Sequence, residues 1–225
     1  MAVLQSVNVG SARLLRAKAG STGIDKMPTA DRVAVRAPGP RQPGASGLAG
    51  DTVCDAKHHG GDVQAVYAYA REDLDWWQAE LGRPLRSGLF GENLTTAELD
   101  VTGALIGETW RIGDRVVLQV TCPRIPCATF ATWMSEAGWL RRFTGEVRPG
   151  AYLRVLSPGK IRVADPVAVE KRPGHCVTIG MAFRALTLEP DLLPGLLEAR
   201  EHLDEELLER ATSRRPFALS DGLDA

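Results

Sequence analysis

The sequence predicts a mainly β chain: a closed or nearly closed β-barrel with one inserted helix, followed by a small helical extension. Three observations carry this. Short apolar or alternating segments recur at regular spacing up to about residue 171. The 23 glycines and 14 prolines fall between them as turn punctuation. After Lys171-Arg172-Pro173-Gly174 the apolar spacing becomes helical.

Residues 3–9 alternate at period two and predict a strand, as do residues 31–35. Residues 23–28 and 37–50 are loops, the second dense in Pro and Gly. Its Gly44, Gly47 and Gly50 do not have the spacing or the strand-to-helix context of a dinucleotide fingerprint. Residues 63–69 read as a buried strand. Residues 71–81 form an amphipathic helix with Leu74, Trp77 and Leu81 on one face and Gly82 as its stop. Trp76 and Trp77 are expected to pack rather than to stack on a ligand. Residues 103–120 give two strands and residues 151–170 another pair around Ser157-Pro158-Gly159. The tail gives three short helices, the first over 177–185, the second after Pro190-Asp191, the third over 203–214. Each is too short to stand alone in water, so they must pack on one another or on the barrel. Residues 216–225 are expected to fray.

Charge and cysteine content narrow the function. With 27 basic and 28 acidic residues there is no field to draw nucleic acid or an anionic membrane. No apolar run reaches spanning length and no secretory signal is evident at the start, which predicts a cytoplasmic protein with free thiols. The four cysteines, Cys54, Cys122, Cys127 and Cys176, include no C-x-x-C pair. A zinc site from Cys54, His58, His59 and Cys127 is one reading of them.

The most informative segment is Pro123-Arg124-Ile125-Pro126-Cys127, directly after an apolar strand. Two prolines fix φ and remove two donors, so the chain must turn at a sheet rim and present the thiol there. A small buried hydrophobe is the competing role for that cysteine. Two upstream segments accompany it, His58-His59-Gly60-Gly61-Asp62 and Gly88-Leu89-Phe90-Gly91-Glu92-Asn93-Leu94-Thr95. With Gly23-Ile24-Asp25-Lys26-Met27-Pro28, residues 47–51, residues 148–152 and the helical tail, the order resembles the MOSC domain, the molybdenum-cofactor-binding module, in its stand-alone YiiM-type form. The resemblance implies a MOSC β-barrel over residues 1–171 and a three-helix extension over 177–215.

It further implies that Cys127 is the protein ligand of molybdenum, whose other ligands are oxo groups and the dithiolene sulfurs of molybdopterin. Soft sulfur on a redox-active metal is suitable coordination chemistry. The phosphate of that cofactor needs local cations and backbone donors. Lys26, His58, His59, Arg124 and Arg148 are the candidate cations, with Arg36 a further one, and Gly60 and Gly61 can bring N–H groups close to an anion. For Arg36 and Arg148 the favoured reading is a solvated surface cation. Glu92 and Asn93 are candidates for hydrogen bonds to the pterin, or else cap a strand within their own turn.

The implied activity is reduction of small N-hydroxylated substrates, purines such as 6-N-hydroxylaminopurine among them. Cys127 and His59 are the catalytic candidates, His59 as the acid. Because the sequence has neither a dinucleotide fingerprint nor a cysteine set for an iron–sulfur cluster, an external electron-donor reductase is expected as partner. A homodimer stays open. A module that binds or carries the cofactor, or sulfur on Cys127, without turnover of its own would share these motifs.

Overall fold

The computed structural model of the protein describes residues 1–15, 20–42 and 44–218. Its strands are β1 (Val3–Val9), β2 (Arg13–Leu14), β3 (Ser21–Thr22), β4 (Met27–Pro28), β5 (Val33–Val35), β6 (Val66–Ala70), β7 (Leu94–Ala97), β8 (Thr109–Ile112), β9 (Val116–Pro123), β10 (Ala151–Ser157), β11 (Gly159–Ile161) and β12 (Val167–Lys171). The helices are α1 (Arg71–Leu81), α2 (Ala128–Met134), α3 (Trp139–Gly145), α4 (Ile179–Thr187) and α5 (Glu205–Ser213), with 3-10 turns at Asp62–Gln64 and Pro190–Ala199.

Eight strands form one sheet in the order β12-β8-β9-β10-β6-β7-β1-β4. Among the described residues only β6 and β7 run parallel, because α1 carries the chain across between them. Among the described residues the expected closed barrel is not found. The start of β1 meets the segment before β12 at a single bridge, Val3 with Pro166. Pro166 has no N–H, and Ala164 turns at φ 68°, so a strand ladder cannot propagate through that seam.

Several expected boundaries move. The strand expected over 63–69 begins only at Val66, because Asp62–Gln64 make a 3-10 turn. Around Ser157-Pro158-Gly159, β10 and β11 do not pair. Instead β11 joins β5, and β10 lies between β9 and β6. More than one helix is inserted: α2 and α3 follow Cys127 directly. They lacked a long amphipathic stripe and are held by an aromatic cluster instead. Phe130, Trp139 and Phe143 are buried with Trp77, Tyr69 and Phe90, their rings meeting mostly edge to face at 4.8–6.4 Å. Burial of each such ring contributes roughly 1.5–3 kcal/mol, enough to offset the low propensity of a short helix. Trp77 is thus core, as expected, with Trp76 set against it edge-on at 4.9 Å.

The C-terminal helices fall near their expected places, with the middle one wound as a 3-10 helix. Thr178 and Asp204 cap α4 and α5 through Met181 N and Leu207 N. Their apolar residues Ile179, Ala182, Leu186, Leu193, Leu196, Leu207 and Ala211 pack in the same cluster as Val66, Trp110, Leu118 and Leu153 of the sheet. Residues 216–218 are not frayed: Phe217 N donates to Leu186 O, and the Arg210 guanidinium lies 3.5 Å above the Phe217 ring. Residues 219–225 lie outside the described residues.

Candidate active site

Strand β9 ends at Pro123, and the two prolines turn the chain so that Cys127 stands immediately before α2, with φ −131° and ψ 166°. Trp133 of α2 donates to Leu89 O at 2.8 Å, which fastens the helix to the 88–92 turn. Cys127 is partly exposed and lies where two cavities meet. The inner one, about 110 Å³, is lined by Lys26, Asp51, Tyr67, Phe90, Asn93 and Arg124 among others. The outer cleft, about 500 Å³, opens towards Arg41, His58 and the C-terminal helices. Asp55, His59, Gln64, Cys127, Thr129 and Tyr152 line both and form the neck between them.

The neck favours a thiolate. Burial pushes the Cys127 thiol up, but the hydrogen bond with His59, the charges of Arg124 and His59, and the Phe130 N–H overcome it and bring its pKa down to about 6. Cys122, by contrast, is buried, and burial lifts its thiol far above the ordinary value. Tyr152 is also held protonated by burial, against the pull of Arg124.

Arg124 is 4% exposed, and its guanidinium lies 3.6 Å over Phe130, with Tyr67 and Phe143 within 6 Å. Its Nη1 is buried without a hydrogen-bond partner. Such an orphan at the wall of a cavity is costly unless an acceptor arrives. Lys26 is differently placed: it pairs with Asp51, a buried carboxylate that also accepts from Gly10 N, Ser46 Oγ and Asn93 Nδ2. Lys26 and Asn93 therefore line the cavity with groups already engaged in holding its wall. Asn93 also accepts from Tyr67 N at 3.1 Å.

Other expected site residues are placed elsewhere. Arg148 pairs with Asp73 and lies 4.7 Å from the Trp76 ring, beside a separate cavity. Glu92 is buried within its own turn, accepting from Gly88 N, Phe90 N and Thr95 Oγ1, and lines neither cavity. Arg36 is exposed and away from both. His58 faces the outer cleft only, exposed and bonded to Asp55 at 3.0 Å. Gly60 lines the inner cavity but Gly61 does not, and Gly61 N donates to Ala45 O. Both glycines have positive φ, 81° and 73°, and an added Cβ would sit 2.7 Å from Ala45 O or 2.8 Å from Arg41 Cγ. Their smallness lets the turn lie against the 41–45 loop and thereby sets the height of His59. Among the described residues no three of His, Cys, Asp and Glu converge on a common metal position, so Cys54, His58, His59 and Cys127 do not make the zinc set.

Tyr67, Tyr152, Gln64, Thr129 and Asp51 complete the site and were not singled out as site residues from the sequence. Asp51 ended a motif that was noticed. Tyr152 likewise ended the 148–152 motif and is registered against Tyr67 across β10 and β6, while Gln64 and Thr129 come from the 3-10 turn and from α2.

The three motifs around His59, Asn93 and Cys127 converge on one cavity, and a MOSC-domain family model matches residues 55–168, which span all three. The chain belongs to the MOSC family. Its relatives include the uncharacterized YflK of Bacillus subtilis, 33% identical over 181 residues that cover 80% of this chain and 78% of YflK. A protein of Gibberella moniliformis named Reductase is 32% identical over 134 residues, 57% of this MOSC chain and only 23% of that longer one. Among solved structures, YiiM from Geobacillus stearothermophilus superposes with a TM-score of 0.76 at 25% identity, over 95% of this chain and 99% of that one. No helix among the described residues of this MOSC protein is long and apolar enough to cross a membrane.

Proposed function

We propose that this chain is a molybdenum-cofactor-dependent reductase of small N-hydroxylated compounds, N-hydroxylated purines such as 6-N-hydroxylaminopurine among them, acting in the cytoplasm with an external electron donor. The observation that supports it most is the neck itself: a thiol that His59 and Arg124 bring down to a pKa of about 6 stands over an inner cavity walled by Arg124, whose buried Nη1 has no hydrogen-bond partner. These residues suit the cofactor. Cys127 offers the soft anionic donor that molybdenum takes, and Arg124 Nη1 offers a charge-assisted bond to a phosphate. When bound, the cofactor supplies the two-electron redox chemistry.

The protein's own part is binding, orientation and proton supply. His59 lines both cavities beside Cys127, so it is placed to hold or deliver a proton at a substrate in the outer cleft. Tyr152 keeps its proton and adds a hydroxyl donor at the same neck. Asp51, with Lys26, Asn93 and Ser46, fixes the opposite wall of the inner cavity. The name of the Gibberella relative also supports a reduction.

Turnover by the loaded protein tests the reading. With NADH alone an N-hydroxylated purine should stay unchanged, since the sequence has no dinucleotide fingerprint. A chemical reductant or a flavin-containing reductase should start conversion to the amine. Failure with every donor would leave a cofactor-binding module, and brisk turnover with NADH and this one chain would contradict the need for a partner.

A further inference from the structure

The outer cleft has two walls, and the proposed chemistry uses only one. His59 and Cys127 stand at the neck, while Asp204, Glu206, Leu207 and Phe217 of the C-terminal extension face them across the cleft. A space of about 500 Å³, lined by apolar side chains such as Ile125, Leu186 and Phe217 and by charged ones of both signs, suits a small polar organic molecule. Of the two carboxylates, Glu206 is engaged by Arg210 at 3.1 Å, with Arg41 at 3.9 Å. Asp204 accepts the Leu207 N–H at 2.8 Å as the cap of α5. An ionised carboxylate has about four acceptor positions, so the cap leaves capacity free. Burial lifts the pKa of Asp204 and the Glu206 charge adds to this, against the cap N–H groups and the Arg41 charge; the shift stays upward, so a further cation arriving in the cleft would relieve it. At the neck, Gln64 Oε1 is a second acceptor, buried and without a partner. Orphaned buried acceptors are rare in folded proteins, and this one belongs to a residue that lines the neck with Cys127.

We propose that the outer cleft is the substrate site of the reductase and that Asp204 is its specificity-determining residue, selecting N-hydroxylated substrates whose far end carries a cationic or N–H-donating group. This rests on the function proposed above and adds a substrate class to it. An anionic far end would instead meet Asp204 as a like charge, which rejects it.

The test uses two arylhydroxylamines that differ only in a para group, aminomethyl or carboxylate, with the loaded protein and a chemical reductant. The cationic compound should be preferred in kcat/KM by about tenfold or more, the worth of one charge-assisted contact. Asp204→Asn should remove most of that preference through KM, with kcat for the cationic compound within about threefold. Asparagine caps a helix as well as aspartate, so the fold is kept. Glu209→Gln, an exposed carboxylate of the same helix outside the cleft, should keep the preference. Equal use of the two compounds by the wild type, or an unchanged preference in Asp204→Asn, overturns the proposal. If neither compound turns over, the reductase reading has failed, and titration calorimetry with the unreactive 4-methylbenzylamine and 4-methylbenzoate reads the cleft by itself. Amine binding that weakens about tenfold in Asp204→Asn upholds the selection, and equal binding of both ions overturns it.

Discussion

Cys127 and Cys122 flank the same turn and have opposite surroundings. Cys127 meets His59 and Arg124 at the neck, whereas Cys122 is packed in the main core. In the metal-free chain, alkylation of Cys127 should therefore rise with pH around a midpoint near 6, while Cys122 stays unreactive. His59→Ala should move that midpoint upward, because it removes the hydrogen bond and charge that favour the thiolate. A wild-type midpoint above pH 8 would contradict the placement of His59. The sign extends to stability. The native thiol has its pKa depressed from 9.0 to about 6, so its contribution is fully present above pH 9 and is lost as pH falls through 6. Cys127→Ser should lack that increment, and denaturant melts of the two chains across this range compare them directly. At this scale the sequence announced Cys127, His59 and Arg124, since prolines and glycines fix where they stand. Arg148 and Glu92 each kept two readings, and folding decides between them: Glu92 accepts from Gly88 and Phe90 N–H within its own turn, as its second reading had it, and Arg148 pairs with Asp73, a partner that no motif announces.

The 58–61 turn is the element on which the site depends most. Gly60 adopts φ 81° with Ala45 O behind it. Gly60→Ala should cost roughly 1–2 kcal/mol for the left-handed backbone alone, with the clash added. It should also lift His59 from Cys127. The alkylation midpoint should then shift upward as in His59→Ala, and a stability loss with an unmoved midpoint would separate the turn from the site. Strands with alternating or apolar runs were legible, as was α1, whose stripe ends at a left-handed Gly82. Helices α2 and α3 were not, because seven residues make barely two turns, too few for a distinctive apolar stripe, and their stability comes from aromatic partners distant in sequence.

Across the whole molecule, the sheet and the C-terminal helices share a single apolar cluster. Thermal unfolding should therefore give one calorimetric transition, and a chain ending at residue 174 should expose that cluster and fail to fold. Two separated transitions would contradict the shared core. The tail was legible as helices, but its place over the site was not, because Asp204 and Phe217 reach the outer cleft only through tertiary packing. The central claim is that Cys127 and Arg124 hold a molybdenum cofactor. Metal analysis together with fluorescence of the oxidised pterin, on protein produced in cells that make the cofactor, tests it most directly. The wild type should carry molybdenum and pterin in equal amounts, Cys127→Ser should lose the metal, and Arg124→Ala should retain about tenfold less of both. Zinc or no metal in the wild type with no pterin, or molybdenum undiminished in Cys127→Ser, would contradict the assignment.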